Sequence, residues 1–267
     1  MTPDFSRVRF VMTQPSHPGN VGSAARALKT MGFSDLVLVE PRWPDIASRP
    51  EAVALASGAS DVLAGARHCD TLAQALAPAT LAFALTARER DLGPPSCDIR
   101  EAARLAREHL AADPAAGVAV VLGTERAGLT NEHIALCHRI CHIPANPAYS
   151  SLNVAQALQL AAWEMRYALR EAPPRADGAE APRRSGDRPA TGEQVQALVE
   201  HWERALVAVG FLDPQHPKKL MPRMRHLLAR SALSRDETDM LRGVCTAMEA
   251  AARRAGERGQ DPPPNRD

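Results

Sequence analysis

The chain is poor in aromatic residues: five Phe, three Trp and two Tyr make up 4% of 267 positions. Platforms for stacking nucleic-acid bases are therefore expected to be few, and any such partner would be gripped through backbone shape and charge. Charge of one sign is lacking as well. Thirty-two Lys and Arg against 31 Asp and Glu leave a net charge of +1, so no global field favours nucleic acid or an acidic membrane, and a basic patch must be local. No run approaches the roughly 18 apolar residues of a membrane span. The opening MTPDFSRVRFVM has no apolar core of a secretory leader, so no membrane partner is expected. The five cysteines are odd in number and follow no framework spacing, which predicts reduced thiols and a cytoplasmic setting.

Signature loops are missing too. The sequence holds no G-x-G-x-x-G and no G-x-x-x-x-G-K-[ST], which argues against a dinucleotide site and a P-loop. Nothing matches G-x-S-x-G, the turn that carries a hydrolase serine. Cys137, His138, Cys141 and His142 have the residue types of a zinc tetrahedron. Yet RICHIPA (139–145) reads as a strand, which sends Cys141 and His142 to opposite faces. No metal is expected.

What remains is an ordinary globular composition, 45% hydrophobic and 24% charged, long enough for one large domain or one domain with a smaller partner. Apolar runs at 8–13, 36–39, 80–86 and 117–122 look buried on both faces, as parallel strands covered by helices are. Helices are predicted near 23–31, stopped by Gly32, over 98–112 with Asp98 as cap, near 130–137, and from Asn153 to about Arg170. With a strand at 139–143, this alternation predicts an α/β domain over 1–170 with a mostly parallel sheet. Residues 171–190 (EAPPRADGAEAPRRSGDRPA) carry no large apolar side chain and read as a flexible linker that lets the two domains move. A helical domain follows over 191–255, with Thr191 capping its first helix and Ser234 with Glu237 forming a capping box for its last. Residues 256–267 read as a disordered tail.

Polar residues crowd three places where strands give way to loops: HPGNVGSAAR (17–26), GTERAGL (123–129) and YSSLN (149–153). Ligands of open α/β sheets lie beyond the carboxyl ends of the strands, so the three can converge on one site. In PAYSSLNVAQAL (147–158) either Ser150 or Ser151 would cap the following helix, and one cap would suffice. The residues alone reach no further than an α/β domain with a polar site made of three loops.

Taken together and in order, HPGNVGSAARALKTMGF, LGTERAGLT and YSSLNVAQAL resemble the three motifs of the SPOUT superfamily of RNA methyltransferases, in the branch that 2′-O-methylates ribose. LVLVEP (36–41), ASGASDVL (56–63), LTARER (85–90) and the helical appendix narrow this to the bacterial enzymes that modify cytidine or uridine 32 in the tRNA anticodon loop. The resemblance implies S-adenosylmethionine as cofactor, a C-terminal trefoil knot and a homodimer whose subunits share each active site. It implies cofactor contacts from Leu85, Thr86, Ala87, Gly123, Ile143, Ser150, Ser151 and Leu152. Arg26, Asn20, Glu125, Ser151 and Asn153 would form the catalytic set, with Glu125 orienting Arg26 or the partner subunit. The acceptor is the 2′-hydroxyl, which separates RNA from DNA, so tRNA and not DNA is the implied partner. Arg88, Arg90 and the basic run Lys218, Lys219, Arg223, Arg225 and Arg230 are the candidate phosphate contacts. Other tRNA or rRNA positions, or a non-catalytic RNA-binding module, are the alternatives.

Overall fold

The computed structural model describes residues 5–88, 93–170 and 188–258. The strands are β1 (Val8–Thr13), β2 (Asp35–Val39), β3 (Arg67–Cys69), β4 (Leu81–Leu85), β5 (Ser96–Asp98), β6 (Val118–Leu122) and β7 (Arg139–His142). They form one sheet in the order β3-β2-β1-β6-β4-β7-β5, and every described pairing is parallel. Helices α1 (Pro18–Met31), α2 (Pro50–Ala56), α3 (Ser60–Ala64), α4 (Leu72–Leu76), α5 (Ile99–Ala112), α6 (Asn131–Ala135) and α7 (Val154–Arg170) cover it.

The central strand β6, VAVVL, is buried throughout, because its alternate side chains feed two cores. Val118, Val120 and Leu122 pack with residues of α1, α2, α3, α5 and α7. Ala119 and Val121 join Leu72, Leu76 and Ile134 of α4 and α6 on the other face. A sheet covered on both faces needs apolar residues at every position of its inner strands, the pattern visible in the sequence.

Three features differ from expectation. Helix α1 begins at Pro18, five residues before Ser23, so the supposed glycine loop is the helix's first turns. Proline suits the first helical position because its missing N–H has no intrahelical partner there. Gly22 serves packing, not a turn: a Cβ there would lie 2.1 Å from the Ala52 carbonyl oxygen on α2. The three-residue edge strands β3 and β5 and the short helices α2, α3 and α4 had no signal long enough to show a period.

The third difference is the junction. Residues 171–187 of the expected linker, and 259–267 of the expected tail, lie outside the described residues. Ala190 is buried, and its N–H donates to Leu233 at 2.8 Å. Three helices follow: α8 (Gly192–Ala208), α9 (Leu220–Arg230) and α10 (Arg235–Arg258). The Gly192 N–H donates to the Ala79 carbonyl at 2.9 Å, and a Cβ on Gly192 would come within 2.6 Å of the Leu76 carbonyl oxygen. Helix α8 packs on α4, and α9 on α6. Among the described residues the helical segment thus docks on the α4–α6 face. Thr191 caps α8 as expected, Ser234 and Glu237 exchange hydrogen bonds at 2.7 and 3.2 Å, and Leu198, Val199, Leu206 and Leu228 form the helical core.

Candidate cofactor cleft and active site

The connections that leave β4, β6 and β7 emerge at the carboxyl end of the sheet and surround a cleft that opens to solvent. All eight residues expected at the cofactor line it: Leu85, Thr86, Ala87, Gly123, Ile143, Ser150, Ser151 and Leu152. Leu85 and Leu122 are register partners on β4 and β6, and the Thr86 N–H is held by the Cys141 carbonyl of β7 at 2.9 Å. A tight turn follows β6. Thr124 and Gly128 exchange backbone hydrogen bonds at 3.2 and 3.0 Å, and Gly128 takes a φ of +68°, which glycine alone adopts without cost. Gly123 faces that turn so closely that a Cβ would lie 2.0 Å from the Gly128 carbonyl carbon.

The turn aims Glu125 back at the start of α1. Its carboxylate accepts from the Ser16 N–H at 3.2 Å, the Ser16 hydroxyl at 3.1 Å, the His17 N–H at 3.3 Å and the Asn20 side-chain amide at 3.2 Å. Partial burial pushes its pKa up, but these donors and its own backbone N–H outweigh that and hold it below the ordinary value. Helix α1 has no acid in its first turn and no side-chain cap from His17. Glu125 supplies the missing negative charge from another loop.

Asn20 passes the connection on. Its side-chain oxygen accepts from the Asn153 amide at 2.9 Å, across 133 positions of sequence. The Asn153 oxygen in turn accepts from the Ala155 and Gln156 N–H groups at 2.9 and 3.3 Å. Asn153 is therefore the cap of α7, correcting the expectation that a serine would be. Ser150 and Ser151 are left for the cleft. One hydrogen-bond chain, Glu125–Asn20–Asn153, ties all three motifs together.

Arg26 is exposed on α1 and lines neither the cleft nor the groove between α1 and α7. Glu125 is engaged by Ser16, His17 and Asn20, so within one subunit the expected Glu125–Arg26 partnership is replaced. Ser16, Thr124 and Arg126 are additions: Ser16 binds Glu125, and the other two line the cleft. Ser16 contributes partly through backbone N–H, for which sequence offers no signal.

Arg88 is exposed at the rim of the cleft, and Arg90 lies outside the described residues. Lys218, Lys219, Arg223 and Arg230 are exposed. Arg225 is not free: its guanidinium donates to the Gln196 side-chain oxygen at 2.7 Å, fastening α9 to α8. Cys141 is buried while His142 on the same strand is exposed, and the His138 ring accepts from the Ala82 N–H at 2.9 Å. Burial, with His109 and Arg139 nearby, lowers the His138 pKa to about 4. Among the described residues no cluster of metal-ligating side chains is present, and no helix is long and apolar enough to cross a membrane.

A parallel three-layer fold with a cleft beyond the carboxyl ends of β4, β6 and β7, beside three motifs joined by hydrogen bonds, defines the class. Residues 7–163 match the SpoU rRNA Methylase family, and the chain belongs to it, an S-adenosylmethionine-dependent methyltransferase. Residues 193–257 match the tRNA methyltransferase TrmJ C-terminal domain, which places the chain in the TrmJ branch. It is similar to the tRNA (cytidine/uridine/adenosine-2′-O-)-methyltransferase TrmJ of Pseudomonas aeruginosa strain UCBPP-PA14, with 42% identity over 92% of this chain and 95% of that one. Among solved structures, TrmJ from Z. mobilis ZM4 covers 90% of this chain and 98% of its own, with TM-score 0.76 and 33% identity. A probable methyltransferase from Bordetella pertussis Tohama I is 78% identical, covers 63% of this chain and 99% of its own, and has TM-score 0.61.

Proposed function

We propose that this protein methylates the ribose 2′-hydroxyl of nucleotide 32, cytidine or uridine, in the anticodon loop of tRNA. The observation that carries the reading is the Glu125–Asn20–Asn153 chain, which joins all three motifs beside the cleft in a protein that also bears a TrmJ C-terminal domain. The cleft fits S-adenosylmethionine: Leu85, Ile143 and Leu152 give apolar walls, and Ser150 and Ser151 give hydroxyls. When bound, the cofactor supplies a methyl group already activated by its sulfonium. The protein's remaining task is to position and polarise the acceptor.

Arg26 grips the phosphate beside the acceptor and stabilises charge developing on the 2′-oxygen. It does not serve as base, because a guanidinium holds its proton too tightly to accept another group's. Glu125 acts through Asn20 and the start of α1, fixing the helix that carries Arg26. Since Arg26 lines no cleft of its own subunit, we place it at the cleft of a second copy in a homodimer. The groove between α1 and α7, with half-exposed Leu55, Leu152 and Leu160, supports that assembly. The connection from β7 to α7 runs against the loops that follow β4 and β6, the path by which the trefoil knot implied by the resemblance would close. The tRNA contacts are Arg88, Lys218, Lys219 and Arg223, and the setting is the cytoplasm.

Calorimetric titration with S-adenosylmethionine, then mass spectrometry of treated tRNA fragments, tests the reading. A methyl group on the ribose of nucleotide 32 is the expected product. Methylation at another tRNA or rRNA position, or binding of tRNA without transfer, would overturn it.

A further inference from the structure

A second open cavity adjoins the cofactor cleft. The two share Thr86, Ala87, Arg88, Ile143 and Ser150 in their walls. On its far side the second cavity gains apolar surface from Pro94, Ile140, Pro144 and Pro147, and polar groups from His142 and Ser96. These walls are held by the fold. Strand β7 lies between β4 and β5, His142 is the register partner of Asp98, and the Ile140 N–H donates to the Pro95 carbonyl at 3.0 Å. The stretch from Pro144 to Ser150 is folded by Asn146, whose side-chain oxygen accepts from the Ala148 N–H at 3.0 Å and whose carbonyl accepts from the Tyr149 N–H at 2.9 Å.

Alternate residues of a strand share a face, so His142 lies on the side of Ile140, which joins Ile134 of α6 in the core. Helix α9 packs on the same α6. The cavity and the helical segment that carries Lys218, Lys219 and Arg223 therefore occupy one side of the sheet.

We propose that this cavity takes the base of the nucleotide next to the acceptor in the RNA, stacked on the His142 imidazole. Mostly apolar walls with a few polar groups suit a flat ring with polar edges. Unpaired bases of RNA loops are read by stacking on aromatic side chains, histidine included. With the acceptor ribose at the methyl donor in the cleft, a base in the adjoining cavity belongs to a neighbouring nucleotide. Arg88 is exposed in the wall common to both, where the phosphate linking the two nucleotides passes, and its guanidinium matches phosphate geometry. The phosphate on the acceptor's other side is the one left to Arg26. From Arg88 the RNA backbone continues over the same side of the sheet toward the cations of the helical segment.

The proposal rests on the methyl-transfer reading, so the native protein is first tested for S-adenosylmethionine binding and for the position it methylates. No transfer, or transfer elsewhere, fails that reading alone, because the cavity is judged on tRNA affinity. Transcripts lacking the base on one side of the acceptor or the other are titrated against the native protein, His142→Ala and His142→Phe. Removing one of the two bases should weaken binding to the native protein roughly tenfold, the size of one lost base–aromatic stack. His142→Ala should weaken intact tRNA by a similar factor, leave S-adenosylmethionine affinity unchanged and be indifferent to removal of that base, since partners in one contact are coupled. His142→Phe keeps a ring and should bind tRNA almost as the native protein does. His142 is exposed, so thermal melting should find both variants folded, and the base-removal titration of the native protein stands without them. Native tRNA affinity in His142→Ala, penalties that simply multiply when base and ring are both removed, or affinity unmoved by removing either base would each overturn the proposal.

Discussion

Replacing Asn20 by Asp inverts one link of the hydrogen-bond chain and leaves the other intact. Asp keeps an oxygen for the Asn153 amide but puts a carboxylate where an N–H now donates to Glu125 at 3.2 Å. Two unit charges at that distance repel by about 5 kcal/mol at an effective dielectric of about 20. Glu125 is half-buried, and solvent and salt screen the pair, so a net loss of about 2–3 kcal/mol in stability is expected at pH 7. The sign of the pH dependence also changes. In the native protein the Glu125 pKa is lowered from its ordinary 4.5, so its contribution is present above that value and fades as pH falls through the lower folded one. In Asn20→Asp the paired carboxylates share a raised pKa, and acidification returns a proton to the gap. The deficit relative to the native protein should therefore be largest near pH 7 and shrink toward pH 5. Urea unfolding at a series of pH values measures both curves. A deficit that is flat across this range, or a variant as stable as the native protein at pH 7, would refute the argument that Glu125 is held as an anion by Asn20.

Arg26→Ala should abolish methylation while S-adenosylmethionine affinity by calorimetry stays nearly unchanged, and Arg26→Lys should also be poor because a point charge cannot reproduce the planar fork; a collapse of cofactor affinity would contradict the assignment. Gly123→Ala places a Cβ 2.0 Å from the Gly128 carbonyl carbon, so overpacking of at least about 1–3 kcal/mol should deform the turn and remove cofactor binding; normal binding would show that the turn yields freely. Replacing Lys218, Lys219 and Arg223 together by Ala should reduce the salt dependence of tRNA affinity by a slope of about 3, near 0.9 for each lost phosphate contact. Arg225→Ala should instead lower the melting temperature through loss of the Gln196 bond and leave that slope unchanged, whereas equal slopes for all variants would make the basic run a solvated face.

The sequence showed the sheet's inner strands clearly, because burial on both faces leaves unbroken apolar runs such as VAVVL. It concealed the edges. A three-residue strand such as RHC at 67–69, largely exposed, carries no period. The start of α1 was misjudged because Gly19, Asn20 and Gly22 resemble a turn. Only packing explains them: the helix needs glycine to meet Ala52 and asparagine to reach two other loops. The residues that line the cleft were named from the ordered motifs, yet which polar residue caps α7 was not. Asn153 and the two serines are equally good caps in isolation, and a partner 133 residues away decides among them. The docking of the helical segment was hidden for a similar reason, since Gly192 meets Leu76 and Ala79 only in three dimensions.

The order of the sheet also sets a timetable for synthesis. Strand β1 leaves the ribosome before its neighbours in the sheet, yet it belongs in the middle, between β2 and β6. Its second edge stays open until Leu122, whose carbonyl accepts from the Thr13 hydroxyl, emerges 109 positions later. At about 5–20 residues per second, that wait is on the order of ten seconds. Throughout it the nascent chain exposes a bare apolar strand to its neighbours, a period in which a holding chaperone would have something to hold.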